Sequence, residues 1–177
     1  MAERVLNGKI AIVTGAGRGL GRTMALGLLR AGANITMVER DANVLDEAVR
    51  EAQQIEGTEP VVACKGDVTS EKDATDAVVT TIERFGGLDI LVNNAALGPQ
   101  TFQPSNLEPR PRIWEIDVEM WRRTLGVNAS GPFIMTRAAL PHLLERGWGR
   151  IINVTTSLDT MTRPGMGAYG PAKACAE

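Results

Sequence analysis

Short apolar runs alternate with stretches of helical spacing along this chain. Ile10-Ala11-Ile12-Val13, Ile35-Thr36-Met37-Val38, Pro60–Cys64, Leu88–Val92 and Arg150–Val154 read as five buried strands. Between them, apolar residues recur three and four apart. Leu20, Met24 and Leu28 mark a helix from about Leu20 to Ala31, with Gly32 as its cap. Asp41 caps a second helix carrying Val44, Leu45, Ala48, Val49 and Ala52, which closes near Gly57. Ser70 and Asp73 form a capping box before a third, which buries Ala74, Ala77, Val78, Ile82 and Phe85 and stops at Gly86-Gly87. From Leu97 to Ile116 the pattern lapses, with Pro99, Pro104, Pro109 and Pro111 spaced through it; a loop of this length in a compact domain is usually functional or mobile. Helical spacing resumes near Val118 and runs to about Arg146. Gly126, Gly131 and Pro132 predict a kink or break around Asn128. After a polar turn a last helix begins near Tyr169, with Pro171 tolerated in its first turn. The alternation predicts an α/β fold: a doubly wound parallel sheet of about five strands, with right-handed crossovers and helices on both faces.

Ligands of such sheets collect at the carboxyl ends of the strands. The stretch Thr14-Gly15-Ala16-Gly17-Arg18-Gly19-Leu20-Gly21 lies between the first strand and the first helix. Backbone N–H groups at a helix start lack intrahelical partners, and glycines let the backbone approach a pyrophosphate. The spacing is Gly-x-x-x-Gly-x-Gly, which a plain tight corner also satisfies. Glu39, at the end of the second strand, can accept hydrogen bonds from the hydroxyls of an adenine ribose and would repel a 2′-phosphate, which favours NAD. Arg18 and Arg40 pull toward NADP, since guanidinium groups can hold that phosphate. Asp67 either accepts the adenine amino group or caps the turn before Ser70. Asn93-Asn94 and Ser157 also fall at strand ends.

Composition narrows the class. At 177 residues the chain has the size of one domain. Its 19 basic and 21 acidic residues are mixed and give a net charge of −2, so nothing calls for nucleic acid or a membrane surface. No apolar run approaches membrane-spanning length, and no apolar segment follows Met1-Ala2-Glu3-Arg4 as in a secretory leader. Cys64 and Cys175 lie far apart without metal spacing and read as reduced thiols of a cytoplasmic protein. His142 is the single histidine, which excludes a His-based metal cluster, and no metal is expected. Tyr169 is the single tyrosine, and Lys173 follows it by four residues. On a helix the two share a face, and a nearby positive charge makes a phenol a usable general acid/base. By spacing alone, a surface Tyr–Lys pair is an equal reading.

Gly15-x-x-x-Gly19-x-Gly21, Asp67-Val68, Asn93-Asn94-Ala95, Asn128, the hydroxyls after strand five and Tyr169-x-x-x-Lys173 together resemble the short-chain dehydrogenase/reductase family. The resemblance implies a Rossmann-like fold and an NAD(P)-dependent oxidoreductase that moves hydride between a nicotinamide ring and a small-molecule substrate, a secondary alcohol or ketone. Tyr169 would exchange the proton with the substrate oxygen. Lys173 would bind the nicotinamide ribose and lower the Tyr169 pKa, a serine hydroxyl would orient the carbonyl, and Asn128 would hold a water linking Lys173 to solvent. Cofactor contacts are expected at Gly15, Arg18, Gly19, Leu20, Gly21, Glu39, Asp67, Val68, Asn94 and Ala95, besides Tyr169 and Lys173. The helix with Phe133 to Leu143 implies a homo-oligomer for the complete protein.

Three departures from the family pattern matter. Ala96 replaces the glycine after Asn93-Asn94-Ala95. Alignment on Gly149-Arg150-Ile151-Ile152 puts Thr156 at the family's serine position, while the serine itself is Ser157; we favour Ser157, with Thr156 as rival. The chain stops at Glu177, inside the last helix, so residues 1–177 are expected to form a single nucleotide-binding domain without the family's C-terminal strands and substrate region. That stop motivates one alternative, a nucleotide-binding remnant without turnover. A Rossmann-type methyltransferase is a second, although it has no use for the Tyr169/Lys173 pair.

Overall fold

The computed structural model describes residues 4–55, 61–101 and 111–177. Five strands, β1 (Ile10–Thr14), β2 (Asn34–Glu39), β3 (Val62–Lys65), β4 (Ile90–Asn93) and β5 (Arg150–Asn153), form one sheet in the order β3-β2-β1-β4-β5. Every pairing is parallel, with Ile12 opposite Thr36 and Leu91, and Asn93 opposite Asn153. The order reverses direction between β1 and β4, which opens a crevice at their carboxyl ends.

Alternation along the strands builds the two layers. Ala11, Val13, Ile35 and Met37 face α1 (Gly19–Arg30) and α2 (Ala42–Ala52), packing on Leu29, Leu45 and Ala48. Ile12, Val38 and Leu91 face the other way, onto Val78 of α3 (Glu71–Phe85) and onto Met135 and Ala139 of α5 (Gly131–Glu145). Strands buried on both faces read as continuous apolar runs. The sheet's amino end is tied by Asp89, only 1% exposed, whose carboxylate accepts from the N–H of Ile10 at 2.9 Å and from Arg146 Nε at 3.1 Å. Lys9 and Arg150 stack on the Trp148 ring beside it.

Several expected details differ. In α1 the buried residues are Gly21, Ala25, Leu26 and Leu29, while Leu20 is 59% exposed. Small residues bring this helix close to β1, and Leu20 is left at the crevice mouth. The capping box before α3 is half formed: Ser70 Oγ accepts from Asp73 N–H, but the Asp73 carboxylate accepts instead from the N–H of Asp67 at 2.8 Å. The break near Asn128 is a π-helical turn, Gly126–Ser130, joining α4 (Val118–Leu125) to α5 without interruption. The wider turn admits Pro132 at the next helical start, where its missing N–H costs little. The polar turn after β5 contains a short helix, α6 (Leu158–Met161), ahead of α7 (Tyr169–Ala174). In the Leu97–Ile116 stretch, 3₁₀ turns occupy Pro99–Thr101 and Ile113–Glu115. Gly57, Pro60, Pro104 and Pro109 lie outside the described residues. Among the described residues no helix is long and apolar enough to cross a membrane.

Candidate active site

The glycine turn is shaped by close approach. A Cβ on Gly21 would collide with the Gly15 carbonyl and the Asn94 amide, and Gly19 holds the left-handed region at φ 54° with open space beyond it. Thr14, at the end of β1, locks this turn to β4. Its hydroxyl accepts from the N–H groups of Asn94 (3.0 Å) and Ala95 (3.1 Å) and donates to the Val92 carbonyl. The Asn94 side chain returns the contact by donating to the carbonyls of Thr14 and Gly15. Sequence reasoning missed Thr14; its signal is a hydroxyl at the last strand position before a glycine turn.

Asp41, Ser70 and Asp117 cap α2, α3 and α4 through their side chains, but no side chain caps α1. Its first turn borders a cleft of about 470 Å³, within the range of roughly 300–1,000 Å³ usual for small-molecule sites. Gly15 and Arg18 to Gly21 form one wall. Glu39 and Arg40 from β2, Asp67 and Val68 after β3, and Asn94 to Gly98 after β4 form the others. Leu97, Gly98, Gln100 and Val127 also line the cleft and were not foreseen from sequence.

Charge at the far end is arranged in pairs. Glu39 Oε1 accepts from the N–H groups of Arg40 (2.9 Å) and Asp41 (3.3 Å), which fixes its carboxylate beside the glycine turn. Arg40 leans on Asp67 with 3.7 Å between Nη1 and Oδ2. Burial alone would raise the Asp67 carboxyl; the N–H and hydroxyl of Thr69, together with Arg40, outweigh it and hold the group below the ordinary carboxylate value. Asp67 thus does cap the local turn, and one of its oxygens remains turned to Arg40. An anion-accepting helix start at one wall, with a fixed carboxylate beyond it, fits the pyrophosphate and ribose of a dinucleotide.

At the other end, Asn128 is fully buried in the π turn. Its Oδ1 accepts from Leu97 N–H (2.8 Å) and its Nδ2 donates to the Leu97 carbonyl (2.9 Å), so the amide clamps the loop after β4. Lys173 is 4% exposed and donates to the Val154 carbonyl at 2.6 Å; burial pushes its pKa down from the ordinary 10.5. Ser157 is exposed and stands at the N-terminal end of α6. Its hydroxyl caps α6, accepting from Thr160 N–H and donating to Thr160 Oγ1 at 3.0 Å. Thr156, half-buried one residue earlier, carries no such bond. Tyr169, at the start of α7, lines the same cleft as the glycine turn.

Comparison with known proteins agrees with that constellation: residues 9–177 match the family described as short chain dehydrogenase. The chain belongs to this family. A short-chain type dehydrogenase/reductase of Picea abies is 33% identical across 97% of this chain and 62% of its own length. The 2-(R)-hydroxypropyl-CoM dehydrogenase of Xanthobacter autotrophicus is 33% identical, over 93% of this chain and 63% of that one. Among solved structures, an NAD+-bound xylitol dehydrogenase superposes with a TM-score of 0.84 at 28% identity, over 96% of this chain and 61% of that one. The chain thus spans less than two thirds of the length of these relatives. Membership also removes the methyltransferase alternative, which shares the glycine turn but not the family match.

Proposed function

We propose that this short-chain dehydrogenase is an oxidoreductase that binds NAD in the cleft and acts on a small alcohol or carbonyl compound. The observation that carries the reading is the sharing of one cleft by the glycine turn and Tyr169. The nicotinamide ring supplies or accepts the hydride when bound. The open start of α1 would hold the pyrophosphate, and the fixed Glu39 carboxylate would accept from the ribose hydroxyls. Tyr169 exchanges a proton with the substrate oxygen. Lys173 follows Tyr169 by one helical turn and would bind the nicotinamide ribose, although here its ammonium donates to the Val154 carbonyl. Asn128 acts by fixing the Leu97 loop, and a water between it and Lys173 would use what its clamped amide leaves free.

The substrate carbonyl also needs a second hydroxyl. Ser157 is spent on capping α6; Thr156, without such a commitment, is the better candidate. The outward-facing Phe133, Leu140 and Leu144 of α5 support a homo-oligomer.

The test is NADH oxidation against a panel of ketones and aldehydes. Tyr169→Phe is expected to keep NADH binding and lose turnover by about 10²–10⁴-fold, the usual contribution of a general acid/base. Thr156→Ala should cost turnover at full stability, whereas Ser157→Ala should cost mainly stability. NADH bound without turnover in the wild type would favour a nucleotide-binding role alone. Absence of NADH binding, or a Phe variant as active as the parent, would overturn the proposal.

A further inference from the structure

The end of β5 and the residue after it hold α7 and the turn that follows it. Lys173 Nζ donates to the Val154 carbonyl at 2.6 Å, and Asn153 Nδ2 donates to the carbonyl of Ala176 at 2.9 Å. Lys173 lies in α7 and Ala176 in the turn just past its C-terminal end, so bonds from the adjacent residues Val154 and Asn153 tie down the C-terminal half of the helix and the turn that leaves it. Asn153 is itself held from behind. Its Oδ1 accepts from Nδ2 of Asn93, its register partner on β4, at 2.9 Å. The same Asn93 nitrogen reaches Thr136 Oγ1 at 3.2 Å and the Pro132 carbonyl at 3.5 Å, both on α5.

The sense of this chain is set by its ends. Both the Pro132 and the Ala176 carbonyls accept only, so neither amide can turn over without setting oxygen against oxygen. The arrangement leaves Asn93 Oδ1 buried with no partner. An amide chosen only to stabilise a sheet would satisfy both of its ends. Here donation toward the turn at the end of α7 is kept although the Asn93 acceptor goes unmet.

We propose that Asn93 and Asn153 are positioning residues: a directed amide relay from α5 across β4 and β5 that sets the helix carrying Tyr169 and Lys173. The inference rests on the oxidoreductase reading for its purpose, but the placement of Tyr169 can be read without turnover. Because Tyr169 is the only tyrosine, ring-fluorinated tyrosine incorporated into the protein gives a single fluorine NMR signal. Asn153→Asp still accepts from Asn93 but cannot donate to Ala176. Asn153→Leu loses both bonds and adds no charge. In the folded state at moderate temperature, both variants should move the signal in the same direction, toward its position in the unfolded chain. Asn93→Ala should move it less, and the double variant Asn93→Ala/Asn153→Leu should match Asn153→Leu alone. At saturating NADH the Asn153 variants should lose about tenfold in kcat while KM for NADH stays within about twofold.

Lowered melting temperatures with an unmoved signal would overturn the relay and leave a plain sheet contact. Additive shifts in the double variant would also overturn it, since they would make the two amides independent. Addition of NADH to the wild type is the separate check on the underlying reading. A wild-type signal indifferent to NADH would count against the cofactor site, whatever the Asn153 variants do.

Discussion

Two charged residues carry opposite lessons about the site. Glu39 is fixed by backbone donors at the ribose end of the cleft, with Arg40 diverted to Asp67. Replacing Glu39 by Gln should remove repulsion of a 2′-phosphate and raise relative affinity for NADPH over NADH, measured as a ratio of dissociation constants. An unchanged ratio would mean that the Glu39 charge has no part in cofactor choice. Lys173 is instead strained by burial, which lowers its pKa from 10.5. Its native form binds fewer protons than the unfolded form between the lowered value and 10.5, so stability must rise with pH across that window. The penalty is fully present below the window. Relative to Lys173→Met, which cancels the other titrations, the wild type should gain up to about 1.4 kcal/mol per pH unit there. Denaturant unfolding at a series of alkaline pH values measures it; parallel curves would contradict the assigned burial.

At the scale of elements, α7 depends on a glycine that no periodicity marks. A Cβ on Gly170 would run into the Met161 carbonyl at the end of α6. The obstacle is backbone, so the helix must move, and overpacking of this kind costs about 1–3 kcal/mol. Gly170→Ala should therefore lower stability by that amount and reduce turnover more than NADH binding. Gly27→Ala is the control: it lies inside α1 with open space around it, and should stabilise by about 0.5–1 kcal/mol. Denaturation and NADH titration of both variants separate the cases. The strands and long helices were legible in the sequence because apolar spacing reports burial against the sheet. The polar ends were less so. Nothing near Ser157 says that its hydroxyl will cap α6, and Asp73 abandons its box because Asp67 offers a bare N–H. The Asn93–Asn153 pair, sixty residues apart, becomes visible only when two strands are laid side by side.

Across the whole molecule, the strand order places the cleft at one end of the sheet and Asp89 at the other. That buried carboxylate joins β1, β4 and the end of α5 through Ile10 and Arg146. Asp89→Ala should cost about 3 kcal/mol, because charged hydrogen bonds are lost and a buried N–H is left unpaired. The loss should appear in the unfolding midpoint, with NADH affinity of the folded protein unchanged. Equal losses in both would mean that the two ends of the sheet are coupled. The missing cap on α1 carries a consequence for how the protein behaves over time. Without a nucleotide, the amides of residues 19 to 21 have little beyond water to hold them, and their deuterium uptake should be fast for so short a distance from a rigid strand. A bound pyrophosphate would quiet that one turn before any other part of the molecule, so its exchange rate serves as a gauge of occupancy even in a protein that turns nothing over.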